Sequence, residues 1–190
     1  MFQVQKFTET TEELVCEIRK LLTKTPNCDL VTVDGWMGSG KTCIASSAIK
    51  PSLDWRHVEG DKEFLEQGRK KYVLNEKKLK LLLCDDKPLI IDSVLMLDHL
   101  TKVNVPRTKI SIYFKRVDNK YEWVDQHFID PSLDTKKLCE YYNSKLVCQL
   151  IDYHRREMPH EKADIVHLSY HEDNNYGKVF TDMFKISPSS

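Results

Sequence analysis

The stretch Leu30–Lys50, LVTVDGWMGSGKTCIASSAIK, constrains this chain more than any other. A β-branched apolar run stops at Asp34, a glycine-rich turn follows, and a helix is expected from about Lys41 to Ile49. Gly35, Gly40, Lys41 and Thr42 fit the spacing G-x-x-x-x-G-K-[ST], with Gly38 as an extra glycine inside it. Each residue type has a mechanical task around a chain of phosphates. Glycines let backbone N–H groups converge as an anion nest and keep Cβ atoms away from phosphate oxygens. The helix that starts near Lys41 adds its positive end to the same point. Lys41 is expected on the β and γ phosphates, and the Thr42 hydroxyl on the Mg²⁺ that bridges them. Gly35, Trp36, Met37, Gly38, Ser39, Gly40, Lys41, Thr42 and Cys43 together form the expected nucleotide cradle. Trp36, inside the turn, is expected to be exposed, where it stacks on an acceptor or shields the phosphates.

Such a cradle needs a second acidic strand end near the metal. PLIID supplies it, as four apolar residues followed by Asp92, whose carboxylate would enter the Mg²⁺ shell directly or through water. Elsewhere helices and strands alternate. Thr10–Thr23 carries Leu14, Ile18, Leu21 and Leu22 at helical spacing, with acidic residues in its first turn and basic ones in its last. Helices are also expected over Asn75–Cys84 and Val94–Leu100, and strands over Lys87–Asp92, Lys109–Lys115 and Ala163–Leu168. One long helix is expected from about Asp134 to Met158, stopped by Pro159. Alternation of this kind predicts an α/β, doubly wound, mostly parallel sheet with helices on both faces. A chain of 190 residues closes one core, so residues 1–190 are expected to form a single domain.

Composition narrows the classes of function. No apolar run is long enough to span a bilayer, and the N-terminus has neither a basic region nor an apolar core of a secretory signal. A cytoplasmic protein with no membrane partner is expected. Lys+Arg and Asp+Glu balance at 29 each, which argues against a nucleic-acid footprint. The six cysteines contain no C-x-x-C pair, so most are expected as small buried hydrophobes. His167 and His171 have i, i+4 spacing, but they fall where a strand runs into a loop, so surface histidines are expected rather than metal ligands. Tyr141 and Tyr142 are expected in the core.

Asn119-Lys120 is followed by Glu122 where guanine recognition through N-K-x-D wants Asp, which speaks against a GTPase. Compact size and helical material between strands suit a kinase that wraps one small acceptor. The chain resembles the uridine-kinase-like branch of P-loop kinases through VTVDGWMGSGKT, HVEGDKEFLEQGRKKYVLN, PLIIDSVLMLDHL and YHRREMPHEKADIVHL, of which the first motif is highly specific. The resemblance implies a doubly wound sheet and ATP with Mg²⁺ as phosphoryl donor. It also implies that Asp61, in HVEGD, accepts the proton of the acceptor hydroxyl, with Asp54 as the rival if the strand ends early. Uridine kinases usually carry an arginine-bearing lid after the fourth strand, whereas KRVDNKYEWVDQHFID has a lone Arg116, which leaves the acceptor open. Lys145, Gln149, Asp152 and Arg156 form a polar stripe on the long helix, read first as solvated. Its sharper alternative is that Arg155 or Arg156 closes on the transferring phosphoryl group. Ser169–Asn175 follows the last strand, where related folds hold adenine. The function expected is an ATP-dependent kinase for a hydroxyl of a nucleoside or similar small molecule. The alternative is a nucleotide-binding regulator or slow ATPase that acts through a protein partner.

Overall fold

The computed structural model describes residues 5–67, 72–104 and 107–170. Six strands form one sheet in the order β1 (Lys6–Thr8), β8 (Ile165–Tyr170), β7 (Lys109–Val117), β2 (Leu30–Gly35), β6 (Leu89–Asp92), β3 (Arg56–Glu59), and every pairing is parallel. Alternation along the central strands sorts side chains into two cores. Leu30, Leu89 and Ile91 face one layer of helices, while Val31, Val33 and Ile90 face the other. This is the doubly wound three-layer α/β fold that the alternating pattern predicts.

The second layer holds α1 (Thr11–Lys24) and the helix that leaves the glycine turn. Thr10 caps α1 through a reciprocal capping box with Glu13. The other helix runs farther than expected, as α2 (Lys41–Ile44), a π-helical turn (Ala45–Ile49) and α3 (Lys50–Leu53). Pro51 has no N–H and its ring would collide with the carbonyl four residues back, so the wider turn just before it lets the helix pass through.

The first layer holds α5 (Glu76–Leu83), α6 (Met96–Val103), α8 (Thr135–Tyr142) and α9 (Lys145–Glu157). Short helices α4 (Gly60–Glu63), α7 (Gln126–Ile129) and α10 (Pro159–Lys162) join them, with an antiparallel hairpin of β4 (Leu65–Gln67) and β5 (Tyr72–Leu74). The long helix expected over Asp134–Met158 is two helices. Asn143 takes the left-handed conformation that ends α8, and the Ser144 hydroxyl accepts from the Val147 N–H to start α9.

Other expectations also change. Tyr141 is exposed and only Tyr142 packs on the core. Cys28 is buried, but Cys16, Cys43 and Cys84 are exposed, and Cys139 and Cys148 form a disulfide between α8 and α9. His167 is buried on β8 with its Nδ1 3.0 Å from the Thr8 hydroxyl, and His171 lies outside the described residues. No helix among the described residues is long and apolar enough to cross a membrane.

Candidate phosphate-binding site

All six parallel strands point their C-terminal ends at one edge, and the candidate site stands on the ends of β2 and β6 there. Chain sterics explain why glycine opens the loop. A Cβ on Gly35 would lie 2.8 Å from the Phe114 carbonyl oxygen on β7, so any side chain would push the two strands apart. At the other end Gly40 caps α2 at φ +79, a left-handed conformation that turns the chain sharply into the helix. Lys41 is buried directly after it, and its charge reaches Asp34 without forming an ion pair among the described residues. The Ser39 hydroxyl is fully buried with no hydrogen-bond partner among the described residues. A buried ammonium group lacking a paired carboxylate, an orphan hydroxyl and glycines at the turn fit a polyphosphate.

Thr42 and Asp92 come together as expected. The Thr42 hydroxyl donates to Asp92 Oδ2 across the β2–β6 pair, which places both beside the loop where Mg²⁺ would sit. His57, which the sequence did not single out, holds the other oxygen: its Nε2 is 2.6 Å from Asp92 Oδ1. Asp34 was likewise missed. Its Oδ1 accepts from the Gly35 N–H at 2.7 Å, and its Oδ2 from the Met96 N–H and the Tyr153 hydroxyl, so it ties the loop to α6 and α9. Burial pushes this carboxyl up to about 6, against the pull of the Tyr153 hydroxyl, the two amides and Lys41. Its signal in the sequence was a lone carboxylate closing an otherwise apolar strand.

Asp61 sits in α4, just past β3, with Oδ1 accepting from the Ser93 hydroxyl at 2.9 Å and the Val94 N–H at 3.1 Å. The Tyr72 phenol lies close enough for the Asp61 charge to raise it, after burial, and its OH approaches Met37 Sδ at 3.5 Å. Asp61, Tyr72 and the loop residue Met37 therefore line the same edge. Asp54 does not. It is exposed, in a left-handed turn ahead of β3, at the opposite end of the sheet.

Trp36 is 5% exposed rather than open, because Phe128 stacks on it at 4.3 Å and 13° while His154 tilts against it at 4.9 Å. Neither candidate arginine is directed to the loop. Arg155 donates to the Phe128 and Asp130 carbonyls and the Thr135 hydroxyl, and Arg156 pairs with Asp98. Gln149, from the supposed solvated stripe, bonds both the N–H and the C=O of Tyr72 and so fastens β5 to α9. The arginine that does approach is Arg116, on the overhanging end of β7. Asp125 grips its Nε and Nη2, and a Cβ built on Gly38 would lie 3.7 Å from its Nη1. Cys43 is exposed on the first turn of α2. Of the segment expected near adenine, Ser169 and Tyr170 still belong to β8, with the Ser169 hydroxyl 3.6 Å from a Cβ built on Gly40; the remainder lies outside the described residues.

Neither a protein-family model nor a curated protein matches the chain. Among solved structures, the hydrogenase maturation factor HypB from Archaeoglobus fulgidus is similar at 15% identity and a TM-score of 0.36, over 91% of this chain and 96% of that one. A glycine loop between β2 and α2, on a parallel sheet whose next strand ends in a carboxylate bonded to the loop threonine, gives this chain a P-loop NTPase-like fold.

Proposed function

We propose that the chain is a phosphotransferase that moves the γ-phosphoryl group of Mg-ATP to a hydroxyl of a small acceptor, a nucleoside or a compound like it. The observation that carries this reading is Asp61, a carboxylate fixed by one oxygen across the sheet edge from the glycine loop, with its Oδ2 unbonded among the described residues. Mg-ATP would supply the electrophilic phosphoryl group. The loop amides and Lys41 hold the phosphate chain, and the Thr42 hydroxyl, with Asp92 behind it, holds the metal. Asp61 orients the acceptor hydroxyl and takes its proton as attack proceeds. Such a site works by positioning and charge neutralisation.

A regulator or slow ATPase remains the second reading, favoured by the fact that Asp61 Oδ1 also closes the turn at Ser93–Val94, a purely structural task. An acceptor screen by ADP release separates the two, since a kinase responds severalfold to one compound and a regulator gives a flat background. With the acceptor in hand, Asp61→Asn should lower single-turnover rates roughly 10²-fold, and Asp54→Asn should cost little. Lys41→Ala should abolish most of the melting shift that saturating Mg-ATP produces, a stabilisation of about 2.7 kcal/mol at a hundred times the dissociation constant. A full rate in Asp61→Asn overturns the kinase assignment, and no shift with any Mg-nucleotide overturns the phosphate site itself.

A further inference from the structure

We infer that His57 is a positioning residue for the metal, acting through Asp92 on the hydroxyl of Thr42; this rests on the phosphate-site reading above. The three side chains form one line. His57 Nε2 meets Asp92 Oδ1 at 2.6 Å, and Asp92 Oδ2 accepts the Thr42 hydroxyl. The line is nearly sealed from water, with the His57 side chain 7% and the Asp92 side chain 2% exposed. Register explains the contact: on the neighbouring parallel strands His57 lies opposite Ile90, so its ring reaches diagonally to Asp92 on the same face.

This geometry assigns Asp92 a role one step back from the metal. A carboxylate is an acceptor only, and both of its oxygens are engaged, one by an imidazole N–H and one by a hydroxyl. The Thr42 hydrogen is thereby held on Asp92, which turns the lone pairs of that hydroxyl away from Asp92 and towards the loop, ready for a divalent cation. Asp92, with both oxygens engaged, would then act on a bound divalent cation by orienting Thr42. A carboxylate with two free oxygens would rotate, and Thr42 would lose its fixed direction. His57 prevents this by fastening one oxygen, as groups behind the ligands of a metal site usually do, where their loss costs about 10- to 100-fold in metal affinity.

The test measures binding rather than turnover. The melting temperature of the whole chain is followed at fixed ATP while Mg²⁺ is titrated, and separately with ATP in excess EDTA. His57→Phe should raise the Mg²⁺ concentration at half-maximal shift by about tenfold or more, with the metal-free ATP shift unchanged. His57→Gln, whose terminal amide N–H₂ stands near the position of Nε2, should stay within about threefold of wild type. If His57→Phe does not fold, His57→Asn takes its place, because its shorter amide falls short of Oδ1. An unchanged Mg²⁺ midpoint in the Phe or Asn variant overturns the inference, as does a Gln variant as impaired as Phe, since that would make the ring's packing the cause. A wild type that responds to no Mg-nucleotide sinks the phosphate site together with this inference, whereas a normal wild-type shift leaves the site standing whatever His57 does.

Discussion

The sheet edge and the helical cap that lies over it are built from opposite chemistry. At the edge, the group that ties the loop to its surroundings is Asp34, a buried carboxyl pushed up to about 6. In the cap, formed by α7, α8 and α9, the corresponding group is His154, whose ring packs on Trp36 and Tyr113 and whose burial holds it down at about 4. Both depart from their ordinary values for the same reason: burial penalises whichever form is charged. The consequences for stability point in opposite directions. A raised carboxyl contributes stability that is full below its ordinary value and is lost as pH rises through about 6. A lowered imidazole contributes stability that is full above its ordinary value of about 6.5 and is lost as pH falls towards 4. Acid therefore loosens the cap while it relieves the edge.

The largest expected effect follows from that contrast. His99, His127 and His167 are held at about 4 by burial like His154, so among the described residues these histidines outnumber Asp34, the carboxyl of opposite sense. For His154 alone, the fall from 6.5 to about 4 corresponds to up to about 3 kcal/mol lost over that pH window. Melting temperature should fall steeply over that window, and amide exchange corrected for intrinsic rate should rise in α9 before it rises in β2. His154→Phe keeps the stacked ring and removes the proton site, and should flatten much of the slope. Equal acid response in α9 and β2 would erase the distinction between cap and edge.

Second in size is Arg155. It spans three acceptors, the Phe128 and Asp130 carbonyls and the Thr135 hydroxyl, and so fixes the Phe128 ring that covers Trp36. Charged donors to backbone oxygens contribute more than neutral ones, so Arg155→Ala should destabilise by about 2 to 4 kcal/mol. That is a drop of roughly 5 to 15 °C for a chain of this length. Mg-ATP should still raise the melting temperature of the variant. An undiminished melting temperature combined with lost turnover would return this guanidinium to the chemistry.

The same contrast decides what the sequence made legible. Lys41, Thr42 and Asp92 stand on strand ends and the first turn of a helix, where backbone register alone delivers a side chain to its place, and local pattern was enough to predict that Thr42 and Asp92 meet. The cap is held by side chains that reach across the chain. Trp36 looked exposed because it sits among glycines, and nothing near it announces Phe128; Arg155 looked free to clamp a phosphoryl group because its partners, two carbonyls and a hydroxyl, lie 20 to 27 residues away. His57 needed the β3–β6 pairing, which only the folded sheet supplies. The break at Asn143-Ser144 was visible as a left-handed stop and a hydroxyl cap, but Leu138, Tyr142, Leu146 and Leu150 keep helical spacing straight through it, and periodicity outweighed the caps.

The smallest expected effect belongs to Arg156, and it sharpens the comparison because its neighbour Arg155 has the largest of any cation in the cap. Arg156 meets both oxygens of Asp98 at 2.6 and 2.7 Å, joining the end of α9 to the first turn of α6, and its Nε meets Glu157 at 3.0 Å. The geometry is good, but the arginine side chain is 55% exposed, so water and salt screen the pair. An exposed ion pair contributes about 1 kcal/mol or less. A double-mutant cycle on Arg156→Ala and Asp98→Ala should therefore return a coupling within that bound, falling towards zero in about 1 M salt, where the screening length is about 3 Å. Turnover in Arg156→Ala should stay within about threefold of wild type, since the loss of a surface pair leaves transition-state binding untouched. A drop of more than about tenfold at unchanged stability and unchanged ATP-induced melting shift would place the phosphoryl-clamping cation in the cap after all. The chemistry proposed for the edge would then be shared with the cap.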